Sequence, residues 1–97
     1  MALTARTSTS PIRVDFDAQS DVLYISLGQP VPSDSDSQER GIQYRFAWSD
    51  NAPSGVTIMG FKFYGWNNRL SELAEIVGDH IKLSPRIVEP EIVKAVK

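Results

Sequence analysis

The feature that most restricts how this chain can fold is the strict alternation between residues 42 and 48. Ile42, Tyr44, Phe46 and Trp48 share one parity, and Gln43, Arg45 and Ala47 share the other. Side chains of an extended strand point alternately to opposite faces, so this run reads as a strand with one buried face. Ile12, Val14 and Phe16 alternate in the same way with Arg13, Asp15 and Asp17. Ala18-Gln19-Ser20-Asp21 supplies turn residues, and Val22 to Leu27 is rich in β-formers, so these two runs form a hairpin.

The run from Ser49 to Gly55 is a turn cluster that closes a second hairpin onto a strand from Val56 to Tyr64. In that strand Val56 and Ile58 lie on one parity, Phe61 and Phe63 on the other, with Gly60 at the change of phase. A β-bulge at Gly60 would return both pairs to one face. Gly28 to Gln38 is rich in proline, serine and aspartate and reads as an exposed loop.

Beyond Tyr64 the period changes. Asn67 and Asn68 suit a helix N-cap, and Leu70, Leu73, Val77 and Ile81, joined by Ala74, make one apolar stripe. Gly78 weakens such a helix by roughly 1 kcal/mol relative to alanine, so the helix ends or bends there. Ser84-Pro85 stops it. Pro90 suits the first position of a last short helix, while Ile92, Val93 and Val96 leave a strand open. The expected fold class is α+β: a four-stranded antiparallel sheet from two hairpins, packed against one C-terminal amphipathic helix over residues 68–83. Residues 1–11 are expected to be a disordered tail and residues 12–97 a single domain.

Composition narrows the function classes. Ninety-seven residues suit one domain, and a hydrophobic fraction of 41% with 23% charged is ordinary globular usage, which argues against wholesale disorder. The absence of cysteine excludes disulfides, thiolate nucleophiles and cysteine-based zinc sites. A net charge of −2 without clustered Lys or Arg argues against nucleic acid as a partner. No apolar run is long enough to span a membrane, and residues 1–10 lack the apolar middle of a secretory signal, so the expected location is cytoplasmic.

Three groups of residues could carry chemistry. Asp15, Asp17 and Asp21 form the run D-F-D-A-Q-S-D, and carboxylates two apart on a strand share a face where they could hold a hard cation. Ser20 and Ser26 stand where a calcium loop needs glycine and glutamate, so a solvated strand running into an Asp-rich turn explains the run better. His80 is the one histidine; near a helix C-terminus it also serves the helix dipole. Asp34, Asp36 and Glu39 form an acidic loop that could attract a partner of basic character. No catalytic, cofactor-binding or metal-binding set is assigned.

Seven of the nine aromatics lie between Tyr44 and Trp66, a density that suits either a thin core or a contact surface. Tyr44, Trp48, Tyr64 and Trp66 are the candidate interface residues. An open four-stranded sheet also leaves two unpaired edges, and with Arg45 and Lys62 as the only charges guarding the third and fourth strands, a homodimer through these aromatics is expected.

Phe16-Asp17 followed by Asp21-Val22-Leu23-Tyr24-Ile25 resembles the Y-D-x-x-x-D-x-L-Y-I signature of the domain of unknown function 2283 family, and Gly60-Phe61-Lys62-Phe63 resembles its V-G-I-E-I strand. Phe16 and Lys62 stand where that family has Tyr and Glu. The resemblance implies a small bacterial protein with no attached enzymatic role, and an antitoxin-like binding role for members encoded beside small toxin-like proteins. The expected function is therefore a non-enzymatic protein-binding module. The alternative is a small enzyme or metal-binding domain using Asp15, Asp17 and His80.

Overall fold

Residues 10–97 are described by the computed structural model. The tail expected over residues 1–11 lies outside them except for Ser10 and Pro11, whose oxygens already accept the Ile12 and Gly28 N–H groups. The class is α+β, as expected, and the described residues form an antiparallel sheet of five strands and two helices.

The two expected hairpins are present. β1 (Ile12–Asp17) pairs with β2 (Val22–Leu27), and β4 (Ile42–Ala47) with β5 (Pro53–Met59). The additional strand, β3 (Ser33–Ser37), lies inside the segment expected to be a loop. It pairs with β4 from Ser33 opposite Ala47 to Ser37 opposite Gln43. Ser and Asp are poor strand formers, but the backbone ladder of β4 supplies the partner that their propensity does not.

The spatial order is β1-β2-β5-β4-β3, so β5 enters between the two earlier strand pairs. The third and fourth strands of the expected sheet, now β4 and β5, are therefore interior, and among the described residues the edges are β1 and β3. Cross-strand register sets Val14, Phe16, Leu23, Ile25, Val56, Ile58, Ile42 and Tyr44 on one face. Both helices cover that face, α1 (Leu70–Ile81) mainly over β5 and α2 (Pro85–Val96) mainly over β1. The opposite face carries Arg13, Tyr24, Gln43 and Met59 and has no covering layer among the described residues.

β5 ends at Met59, earlier than the sequence indicates. Gly60 has φ +75 and opens a tight turn instead of a bulge. The register irregularity lies at the other end, where Phe46 faces Pro53 while Arg45 faces Gly55, leaving Ser54 as the extra residue. Turning at Gly60 brings Phe61 inward without a phase change, edge-on to Phe16 with centroids 5.3 Å apart.

α1 starts at Leu70. Asn67 and Asn68 do not cap it but lie in a 3-10 turn, and Arg69 stands at the cap position without a side-chain bond. The helix continues through Gly78, which permits a close approach: a Cβ there would sit 2.3 Å from the Leu83 carbonyl oxygen as the chain turns back. Ser84 caps α2 through the Arg86 N–H, and Pro90 lies inside this helix instead of opening it. An interior proline costs about 3 kcal/mol in an isolated helix. Val88 and Ile92, both fully buried against the core, hold α2 in register across it.

Candidate docking surface

Asp21 has φ +59, a left-handed conformation that Asp tolerates, at the end of the turn between β1 and β2. From there its carboxylate accepts the N–H of Lys62 at 2.8 Å and of Phe63 at 3.0 Å, while its carbonyl accepts those of Gly60 and Phe61. Four consecutive N–H groups of the segment after β5 thus converge on one residue. The Tyr64 N–H returns to the Gly60 carbonyl and closes the turn.

The turn displays aromatic surface. Phe63 is 80% exposed and Tyr64 45%, with rings edge-on and 4.9 Å between centroids. Met59, also exposed, ends the strand that leads into it. Phe63 was not among the expected interface residues, because a strand running to Tyr64 gives it the inward parity of Phe61. The signal that would have found it is the pair Gly60 and Gly65, both with positive φ, bracketing F-K-F-Y.

The four expected interface residues do not form one surface. Trp66 is fully buried, a correction with a clear cause: the turn at Gly65 folds it back under the sheet end. Its indole N–H donates to the Arg40 carbonyl at 3.0 Å, and the Arg40 guanidinium lies 4.5 Å from its ring centroid. Tyr44 is half-buried and packs against the core. Trp48 is 68% exposed just beyond the far end of β4, where its indole N–H donates to Asp34 at 3.0 Å. Tyr64 lies against Gly41, at the opposite end of that strand.

His80 stacks on Tyr44 at 4.6 Å and meets Phe46 edge-on at 5.0 Å. Its Nε2 lies 3.1 Å from the Arg45 carbonyl oxygen. A carbonyl only accepts, so Nε2 carries the proton and donates. That carbonyl belongs to the residue at the register shift, so the imidazole ties α1 to the irregular end of the β4–β5 ladder. Tyr44, Phe46, Pro53, Asp79, His80 and Lys82 line a recess of about 300 Å³ beside it.

The acidic candidates separate. Asp15 pairs with Arg13 at 2.9 Å. Asp17 accepts the Gln19 and Ser20 N–H groups, and the hydrogen bonds from Ser20, side chain first, hold its carboxyl below the usual range. Asp21 serves the aromatic turn, and His80 lies at the other end of β4 from it. Among the described residues no group of three His, Asp or Glu side chains is placed to hold a metal ion. Asp34 and Asp36 project from β3 on the face of Phe46 and Tyr44.

No helix among the described residues is long and apolar enough to cross a membrane. The fold and surface define a small α+β protein with two helices on one face of its sheet and a braced aromatic turn at one end. No family model, curated protein or solved structure matches the chain.

Proposed function

We propose that this chain is a protein-binding module whose principal anchor is the Phe63–Tyr64 turn. The observation that carries this reading is an aromatic ring 80% exposed on a turn braced by four hydrogen bonds to Asp21. Aromatic anchors dominate interface energetics, and a backbone turn held in place before binding loses little conformational freedom on contact. The resemblance to the domain of unknown function 2283 family adds a small toxin-like protein as the class of partner. The carboxylates of the metal-dependent alternative are engaged separately, which favours the binding reading over it.

Site-specific photo-crosslinking in the native host tests this. A benzophenone amino acid at position 63 is expected to give a discrete adduct that the same group at Arg86, on the exposed side of α2, does not give. Equal adduct patterns from both positions would overturn the proposal.

A second reading, self-association into a homodimer, draws on Met59, Phe63 and Tyr64, which are exposed together at one end of the sheet, since a contiguous apolar patch favours an interface. Sedimentation equilibrium over a hundredfold concentration range distinguishes it, a constant mass of 10.8 kDa excluding the dimer.

A further inference from the structure

Among the described residues, β3 ends the sheet and pairs with β4 alone. Two bonds fix which way its backbone faces: the Trp48 N–H donates to the Pro32 carbonyl, and the Gln38 N–H to the Ile42 carbonyl. Antiparallel hydrogen-bonded pairs recur every second residue, so Asp34 and Asp36 also bond inward to β4. Ser33, Ser35 and Ser37 therefore turn their N–H and C=O groups to the open side. Asp34 to Ser37 are exposed, and the main sheet contacts of both helices are with other strands.

We propose that this edge accepts, as a sixth antiparallel strand, an extended segment of a partner protein with Lys or Arg at alternate positions. A strand added here makes hydrogen-bonded pairs with Ser33, Ser35 and Ser37. Its intervening residues fall opposite Asp34 and Asp36 in non-hydrogen-bonded pairs, where side chains approach most closely. Lys or Arg there meets a carboxylate directly across the pair. Asp34 is already oriented by the Trp48 indole N–H at 3.0 Å, so little rearrangement is needed.

The same geometry rules against a second copy of β3 as the occupant. Only registers that pair the outward-facing serines with each other are hydrogen-bonded, and each of these that overlaps the two strands by three residues or more opposes an aspartate to an aspartate. Like charges directly opposite are destabilising. The edge is thus closed to its own kind and open to a basic strand. The inference rests on the reading of the chain as a protein-binding module, but not on Phe63.

A labelled peptide of alternating Lys and Thr, eight residues long and titrated into the full chain by fluorescence anisotropy, tests it. Amide NMR is expected to show shifts centred on residues 33–37. Replacing both aspartates (Asp34→Asn with Asp36→Asn) should weaken binding about fivefold, the effect of two exposed cross-strand ion pairs. Ser35→Pro is the sharper test. It keeps both carboxylates and the inward ladder but removes an outward donor, as proline is tolerated at an edge; it should weaken binding at least as much while the thermal midpoint stays near that of the unmodified chain. Tight binding by Ser35→Pro, or equal binding of a peptide with its lysines grouped in one block, would reduce the effect to diffuse charge attraction and overturn the proposal. So would no binding at millimolar peptide. Phe63→Ala should leave this affinity unchanged, so failure here and failure of the aromatic anchor are separable.

Discussion

The Oδ2 of Asp21 accepts the backbone N–H of Phe63 at 3.0 Å, across 42 positions of sequence. This contact joins the first hairpin to the turn that follows the last strand. Asp21→Ala removes both carboxylate bonds and places a non-polar residue at φ +59. A loss of about 2–3 kcal/mol is expected from urea unfolding, with Asp21→Asn costing less because it retains an acceptor and tolerates the left-handed region.

Trp66 and Phe63 should respond in opposite ways. Trp66→Ala empties a fully buried site and strands the Arg40 carbonyl, so a loss of about 3–5 kcal/mol is expected. Phe63→Ala, at an exposed position, should change stability by no more than about 0.5 kcal/mol. Chemical denaturation of the two variants checks the contrast, and comparable losses would contradict the burial described.

Gly78→Ala is expected to destabilise although alanine is the better helix former by about 1 kcal/mol. The new Cβ would lie 2.3 Å from a backbone oxygen at Leu83, and relieving that overlap requires the α1–α2 connection to move. A net loss of about 1–3 kcal/mol should appear in thermal unfolding. A gain would show that the connection shifts freely.

Asp17 contributes to acid sensitivity. Its folded carboxyl lies below the ordinary value of 3.8, so its contribution is present above that value and is lost as pH falls through the lower folded one. Asp17→Asn should therefore lose less stability than the unmodified chain between about pH 5 and about pH 2.5, measured by urea midpoints. Parallel losses in both proteins would assign the acid sensitivity to other carboxylates.

Strands with one apolar face were legible in the sequence because burial writes period two into them, as in Ile12 to Phe16 and Ile42 to Phe46. β3 was not, because an edge strand with Ser and Asp on its two faces carries no apolar period, and only its partner defines it. The amphipathic stripe from Leu70 to Ile81 was legible for the same reason as the strands. α2 was half hidden by Pro90, a residue whose local cost the burial of Val88 and Ile92 overrides. Among the candidate interface residues, Trp48 and Tyr64 are exposed. Trp66 and Phe63 exchanged roles because parity depends on where a strand stops, and Gly60 stops β5 before either. The Asp21 contacts join residues more than forty apart and leave no local pattern.

The position of β5 has a consequence for the order in which the molecule can assemble. Before Pro53 to Met59 are in place, β1–β2 and β3–β4 are two separate strand pairs that share no hydrogen bond in the final sheet. Isolated two-stranded hairpins are at best marginally stable in water. A nascent chain emerging from its N-terminus therefore holds two unsupported ribbons until the last strand arrives. Its insertion joins both at once, sets Val56 and Ile58 into the middle of the apolar face, and gives α1 a surface to condense on. Folding is thus expected to be all-or-none and to wait on residues in the second half of the chain, leaving the β1–β2 and β3–β4 pairs exposed to unwanted pairing during synthesis.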